Sequence, residues 1–317
     1  MKTRYVMGLL VVAFVAWMLI ARFVHVAKIS VKVVDEEERP IEGAKIELCF
    51  YGGCLTKDAT KGSTNKDGSF SSLGSSRDGV TGGVVKKEGY YNSVFHHDFF
   101  IKSSGVWKPW NKQIKVVLRP VVKPVPMYVR NRSFQFPAIN KDLGFDLMKA
   151  DWVPPYGAGV HRDFIFRVER IYKDSDNFDA TLTITFPNKY DGIRLIKDNR
   201  GGDFSVGSRF QLPRIAPEEG YQPKMMKRVS SGIYGSRAAK EDDNNYIFRV
   251  RSESESGKLK RAMFGKILGD IRFGPIGGNG GFEMHYYLNP DYTRNLEFDP
   301  KKNLFTNSPE VEGVGLP

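Results

Sequence analysis

The sequence predicts an all-β chain, with two strand-built domains behind one N-terminal apolar segment. Three observations predict it. After residue 27, apolar residues recur at every second position, the period of a half-buried strand. Gly, Pro, Asn and Asp punctuate those alternating runs at short intervals, as turns between strands require. No segment beyond residue 27 repeats at the helical period over ten residues. At 317 residues the chain is long enough for one large domain or two ordinary ones.

The first element is the apolar run "YVMGLLVVAFVAWMLIA", preceded by Lys2 and Arg4 and closed by Arg22. A basic flank before an apolar core is the pattern of an export segment. Cleavage after Ala21 or Ala27 would set Leu19 or His25 where a small residue is needed. The expectation is therefore an uncleaved signal-anchor over residues 1–27, its positive end inside, with "FVHVA" completing the span. The protein is then a single-pass inner-membrane protein with periplasmic or otherwise extracytoplasmic domains, or a secreted one if the segment is cut. The formal charge is +12, and the three basic residues of this segment leave +9 for the rest. A basic surface suits anionic partners, and export excludes nucleic acid among them, leaving anionic envelope polysaccharide and the bilayer surface.

The strands follow in order. "KISVKVV" alternates Ile29, Val31 and Val33 with Lys28, Ser30 and Lys32. "AKIEL" comes after a Pro-Ile-Glu-Gly turn, and Asn65-Lys66-Asp67-Gly68 is expected to close a tight turn between two paired strands. "GVVKKEGYYNSVF" and "KQIKVVLRP" supply the rest of the first domain. Cys49 and Cys54 are the two cysteines; with four residues between them in an exported chain, they are expected to form a disulfide that clips a small loop.

Asp35, Pro40, Gly43, Ala44, Thr64, Asp67, Gly68, Phe70, Gly89 and Tyr90 lie in a pattern that resembles the carboxypeptidase regulatory-like domain. That resemblance implies a transthyretin-like, Ig-like β-sandwich over residues 28–126 and says little about chemistry, because such modules accompany enzymes and adhesins alike. "RPVVKPVPMY" reads as a stiff connector that ends the domain near Pro126. Residues 127–317 form the second β-rich domain, with "ATLTITF", "NYIFRVRS" and "GFEMHYYLN" as its clearest strands. Together with "DWVPPYGAG" and "YYLNPDYTRNLEFDP", this half resembles uncharacterised bacterial envelope proteins that join such a module to a second β-rich one, an arrangement that implies an extracytoplasmic address and no reaction.

The motifs exclude more chemistry than they nominate. There is no His-Glu-x-x-His and no Gly-x-Ser-x-Gly, and His96-His97-Asp98 on a strand can offer at most His96 and Asp98 to one side. No metal, cofactor or catalytic residue is assigned. Asp146, Asp151 and Asp163 beside Trp152 and Tyr156 form the best candidate for ligand binding, since flat rings and carboxylates suit sugars. Two suitably spaced carboxylates would also permit glycoside hydrolysis. "FGPIGGNGGF" reads as a hairpin loop whose N–H groups could also line an anion nest. Lys224, Lys227, Arg228, Arg237 and Lys240 run without an acid and form the candidate contact for an anionic polymer, with Arg249 and Arg251 on one strand face nearby. The functional expectation is a non-catalytic envelope protein, binding or structural. The alternatives are a glycan-directed hydrolase and an accessory subunit that docks a partner envelope protein through a strand edge.

Overall fold

The computed structural model describes residues 25–50, 59–76, 78–197, 206–235, 243–306 and 316–317. The first strands are β1 (Val26–Val34), β2 (Lys45–Cys49), β3 (Thr60–Ser63), β4 (Ser69–Ser75) and β5 (Val80–Lys86). Four more follow: β6 (Ser93–Asp98), β7 (Ile101–Ser103), β8 (Val106–Lys108) and β9 (Lys112–Val117). Next come β10 (Val125–Gln135), β11 (Leu143–Asp146), β12 (Asp151–Trp152), β13 (Phe164–Asp174), β14 (Asn177–Thr185) and β15 (Gly192–Lys197). The last are β16 (Gly207–Ser208), β17 (Lys224–Ser231), β18 (Asn244–Glu255), β19 (Lys258–Ile267), β20 (Arg272–Gly274), β21 (Gly281–Asn289) and β22 (Phe298–Asn303). Among the described residues the only helical element is the 3-10 turn Gly232–Tyr234, and no helix is long and apolar enough to cross a membrane. The candidate anchor, save its last residues, lies outside the described residues. Val26 and Ala27 belong to β1, so "FVHVA" does not extend a helical span as expected: its last two residues are strand, and Ala27 is core.

The chain divides into two units. The first holds residues up to Val122 and is a sandwich of two sheets, ordered β4-β1-β8-β7 with β9 also on β1, and β16-β6-β5-β2-β3. Alternation builds its core. Ala27, Ile29, Val31 and Val33 of β1 meet Ile46 and Leu48 of β2, Val85 of β5 and Phe95 of β6. The motif residues of the first domain are turn chemistry. Asp35 accepts the backbone N–H groups of Glu37 and Arg39, and Thr64 Oγ1 donates to Ile41 O while accepting from Ala44 N. At Gly68, φ is +70° and a Cβ would come within 2.5 Å of Val33 O, so only glycine fits there.

Two expectations for this unit change. The Asn65–Gly68 turn does not close a hairpin, because β3 pairs with β2 whereas β4 pairs with β1 in the other sheet. Asn65 Oδ1 captures the N–H groups of Asp67 and Ser69, and Gly68 packs on β1, so the turn hands the chain across the sandwich. The second domain is also not contiguous. The strand β16 and the residues after it to Gln211 belong to the first unit, although they lie eighty residues beyond its end. β16 pairs with β6; the Phe210 ring lies 5.2 Å from that of Tyr91, tilted against it; and Arg119 lies over the Phe210 ring and donates to the carbonyls of Phe210 and Gln211.

The second unit runs from Lys123, without that segment, and also has two sheets. One is β15-β18-β19-β21-β10-β22 with β20 on β21, and the other is β12-β11-β13-β14-β17. Its core is aromatic: Phe134, Phe136, Phe145, Trp152, Phe164, Phe166, Phe248 and Phe282 lie in one cluster fed by both sheets. β14 shows the expected alternation, with Phe178, Ala180, Leu182 and Ile184 buried. β18 and β21 do not alternate at their inner ends. Ile247 packs with Ala216 and Leu296 from loop segments, and Tyr287 with Val125 of β10 and Phe298 of β22. "FGPIGGNGGF" is the β20–β21 hairpin loop, where Arg170 donates to the carbonyls of Pro275 and Gly278.

Candidate functional site

The ligand-binding candidates lie on one loop of the second unit. β11 ends at Asp146, and the chain returns to β13 after Asp163. Asp146 is buried, and its two oxygens accept five donors. Oδ1 receives Met148 N at 2.9 Å, Lys149 N at 3.2 Å and Arg251 Nη2 at 3.0 Å, while Oδ2 receives Val160 N and His161 N, both at 2.9 Å. Asp163 is buried beside it and takes Arg251 Nε at 2.7 Å, Arg251 Nη2 at 2.8 Å and Leu147 N at 2.8 Å. One guanidinium therefore holds both carboxylates. Burial alone would raise the pKa of Asp146, but the N–H groups of His161 and Val160 and the charge of Arg251 prevail and hold it below the ordinary carboxylate value.

The remaining candidates spread outward from that pair. Asp151 folds back on its own loop, accepting Trp152 N and Ala158 N at 2.8 Å each. Gly157 is required there, since a Cβ would lie 2.5 Å from Asp151 Oδ1. Trp152 is a core residue: its ring meets Phe145 at 5.2 Å and Phe166 at 5.7 Å, and Nε1 donates to Gln135 O. Tyr156 faces solvent on the loop. The loop thus brings Asp146 and Asp163 together and leaves Trp152 and Tyr156 apart. An open cleft of about 430 Å³ borders it, lined by His161, Arg162, Asp163, Asp191, Arg251 and Glu253 among others.

Strand alternation puts Arg251 on a basic face with Arg249, but the side chain turns inward instead. Its φ is +50°, and the β18–β19 register shifts between Val250 and Glu253, a bulge that re-aims its side chain toward Asp163. Arg249 lies over the Tyr221 ring and donates to Glu218 O. The contiguous basic run also finds acids distant in sequence. Lys227 pairs with buried Asp270, which also accepts the Tyr246 hydroxyl, and Arg228 grips Asp179 through two bonds of 2.8 Å. Lys224 remains exposed; Arg237 and Lys240 lie outside the described residues. Cys49 is buried at the end of β2, and Cys54 lies outside the described residues. Among the described residues no cluster of His, Cys, Asp and Glu is suited to a metal.

A basic concavity that the sequence reading missed lies in the first unit. Lys45 on β2 and Lys86 on β5 stand directly opposite each other, and with Lys87, Gly43, Glu88 and Asn92 they line a cleft of about 690 Å³. Lys86 pairs with Glu47 at 3.2 Å and Lys87 donates to Glu42 O. Like charges opposed across a ladder are unfavourable unless something anionic lies between them. The signal in sequence was a lysine on the polar face of each of two alternating runs, which become a pair only once the register is known.

No family model matches the chain, and no curated protein matches it in sequence. Among solved structures it is similar to a DUF3823 family protein from Parabacteroides merdae, at 10% identity over 87% of this chain and 99% of that one, with a TM-score of 0.22. The shaft pilin SpaA from Lactobacillus rhamnosus GG matches at 10% identity over 75% and 92% of the two chains, with a TM-score of 0.24. BcpA, the major pilin subunit of Bacillus cereus, matches at 11% identity over 76% and 63%, with a TM-score of 0.22. TM-scores this low transfer neither fold nor function.

Proposed function

We propose that this chain is a non-catalytic protein that works outside the cytoplasm, held to the membrane by its N-terminal segment and acting in the cell envelope by binding or as a structural element. The observation that carries the non-catalytic reading is the saturation of Asp146 and Asp163. A general acid or nucleophile needs an oxygen facing substrate, and the four oxygens of this pair are engaged by backbone N–H groups and by Arg251. The two carboxylates fasten a loop. Export rests on the basic flank and apolar run before His25. The turn chemistry of Asp35, Thr64 and Gly68 supports a carboxypeptidase regulatory-like first module.

The test separates fastening from catalysis. Asp146→Asn and Asp163→Asn should each lower the unfolding midpoint and speed hydrogen exchange across residues 147–162. A glycan-hydrolysing activity that either substitution abolishes without changing stability overturns the reading.

A binding role for the first unit has its own support in the Lys45–Lys86–Lys87 cleft, which suits the phosphate or carboxylate groups of an anionic envelope polysaccharide. Cosedimentation with such polymers should weaken steeply as salt rises, and Lys45→Glu with Lys86→Glu should abolish it. Retention by that double variant, with loss in Lys224→Glu, would return the contact to β17.

A further inference from the structure

The first unit has two unlike ends. β1 finishes at Val34 and is followed at once by Asp35, Glu36, Glu37 and Glu38, an acidic turn. The opposite end, about 26 Å away at the rise of a strand, is where the chain enters the sandwich. There Val26 N donates to Gly105 O at 3.0 Å, Val26 pairs with Val106 of β8, and the His25 ring lies 5.7 Å from that of Trp107.

Three large apolar side chains stand out near this entry. Phe100 is 86% exposed, Ile101 63% and Trp110 43%. Ile101 pairs with Lys108, two residues beyond Val106 and so about 7 Å along the strand from the entry point. Lys102, Lys108 and Lys112 are exposed among them. Among the described residues, the acids at this end are engaged: Asp98 with His96 at 2.8 Å, and Asp78 with Ser76 Oγ and Val80 N. Scattered exposed apolar residues are ordinary, but two consecutive ones, a tryptophan and three lysines on one short stretch make the composition of a membrane-interface contact.

What covers this patch follows from the chain ahead of it. The apolar run ends at Arg22, and Val26 is four residues on, a tether of about 14 Å at full stretch. We infer that the entry end of the first unit rests on the outer leaflet of the bilayer, with Phe100, Ile101 and Trp110 among the headgroups and Lys102, Lys108 and Lys112 on lipid phosphates. The acidic turn then points away from the anionic surface. The inference rests on the proposed membrane anchor, and its test keeps the two apart.

The full chain is reconstituted into vesicles of phosphatidylglycerol and phosphatidylethanolamine that carry a lipid spin-labelled near the glycerol backbone. A solvatochromic amino acid replaces Phe100, Glu37 or Ala13 in separate preparations. Quenching and a blue shift at position 100, with neither at 37, support the contact. If position 13 is protected from aqueous quencher while position 100 behaves like 37, the anchor stands and the contact is overturned. If neither 13 nor 100 meets lipid, both fail. Lys102→Glu with Lys108→Glu, which alters only exposed side chains, should remove the quenching at position 100 and leave circular dichroism unchanged; quenching that survives this exchange overturns the role given to the lysines.

Discussion

The Asp146–Arg251–Asp163 group of the second unit and the Lys45–Lys86–Lys87 cleft of the first are both clusters of charge, and they differ in what the fold has done with it. The buried group matches two acids to one guanidinium and fills their remaining acceptor sites with backbone N–H donors. The cleft sets two lysines against each other on the surface, with a single side-chain carboxylate, Glu47, reaching Lys86. A charge whose partners are all internal holds structure. A charge left facing water, next to another of its own sign, is available for a partner from outside.

The comparison can be broken most forcefully at its buried side. The larger sheet carries His285, stacked 4.8 Å from Tyr287, and among the described residues its Nε2 has no hydrogen-bond partner. Burial and the nearby charge of Lys266 push its pKa down to about 3. The unfolded chain therefore takes up a proton on this histidine at about pH 6.5 that the folded chain refuses, and stability should fall as pH drops from there to about 3. The loss grows steadily across that window, because each further fall in pH favours the protonated unfolded chain. His285→Phe should flatten urea midpoints over the same range; an unchanged slope would remove the histidine from the account.

Next in size is Arg251→Ala. It strands two buried carboxylates and should destabilise the second unit by about 4 kcal/mol, read as a lowered urea midpoint for hydrogen exchange across β11 and β13. A change under about 1 kcal/mol would mean that the group is solvated and the contrast with the cleft is false. Arg228→Ala sharpens the same point from the surface. Its bidentate pair with Asp179 is half exposed, and its loss should leave the unfolding midpoint almost unchanged. Smallest of all, Lys45→Glu should change stability by a few tenths of a kcal/mol, in the favourable direction, since it replaces a like-charge pair by an opposite one.

Much of the strand content was legible in sequence because burial imposes period two. Ala180, Leu182 and Ile184 read as one face and are one face. Pairing was not legible, because alternation reports which side of a strand is buried and nothing about its neighbour. Asn65–Gly68 is a turn in sequence and in structure, yet only the packing of Gly68 on Val33 decides that it crosses between sheets. The carboxylates of the 146–163 loop were visible as a group, and Asp146 and Asp163 do meet. Their shared partner was hidden, because a bulge with φ +50° reverses the side on which strand alternation puts Arg251. Likewise Lys227 and Arg228 read as an unopposed basic run because Asp270 and Asp179 lie more than forty residues away.

The return of β16 to the first sandwich has a bearing on how the molecule is made. If the chain crosses the membrane from its N-terminus, β6 emerges with one edge bare and stays so until about a hundred further residues have been delivered. The first module is therefore not finished when its own sequence is. Its last strand, and the Phe210 ring that Arg119 covers, arrive only after most of one sheet of the second unit is outside. During that interval the open edge is a template for the wrong strand, from this chain or a neighbouring copy. Secretion of a fragment ending at Pro126 makes the interval permanent, and such a fragment should collect as oligomers where the full chain remains dispersed.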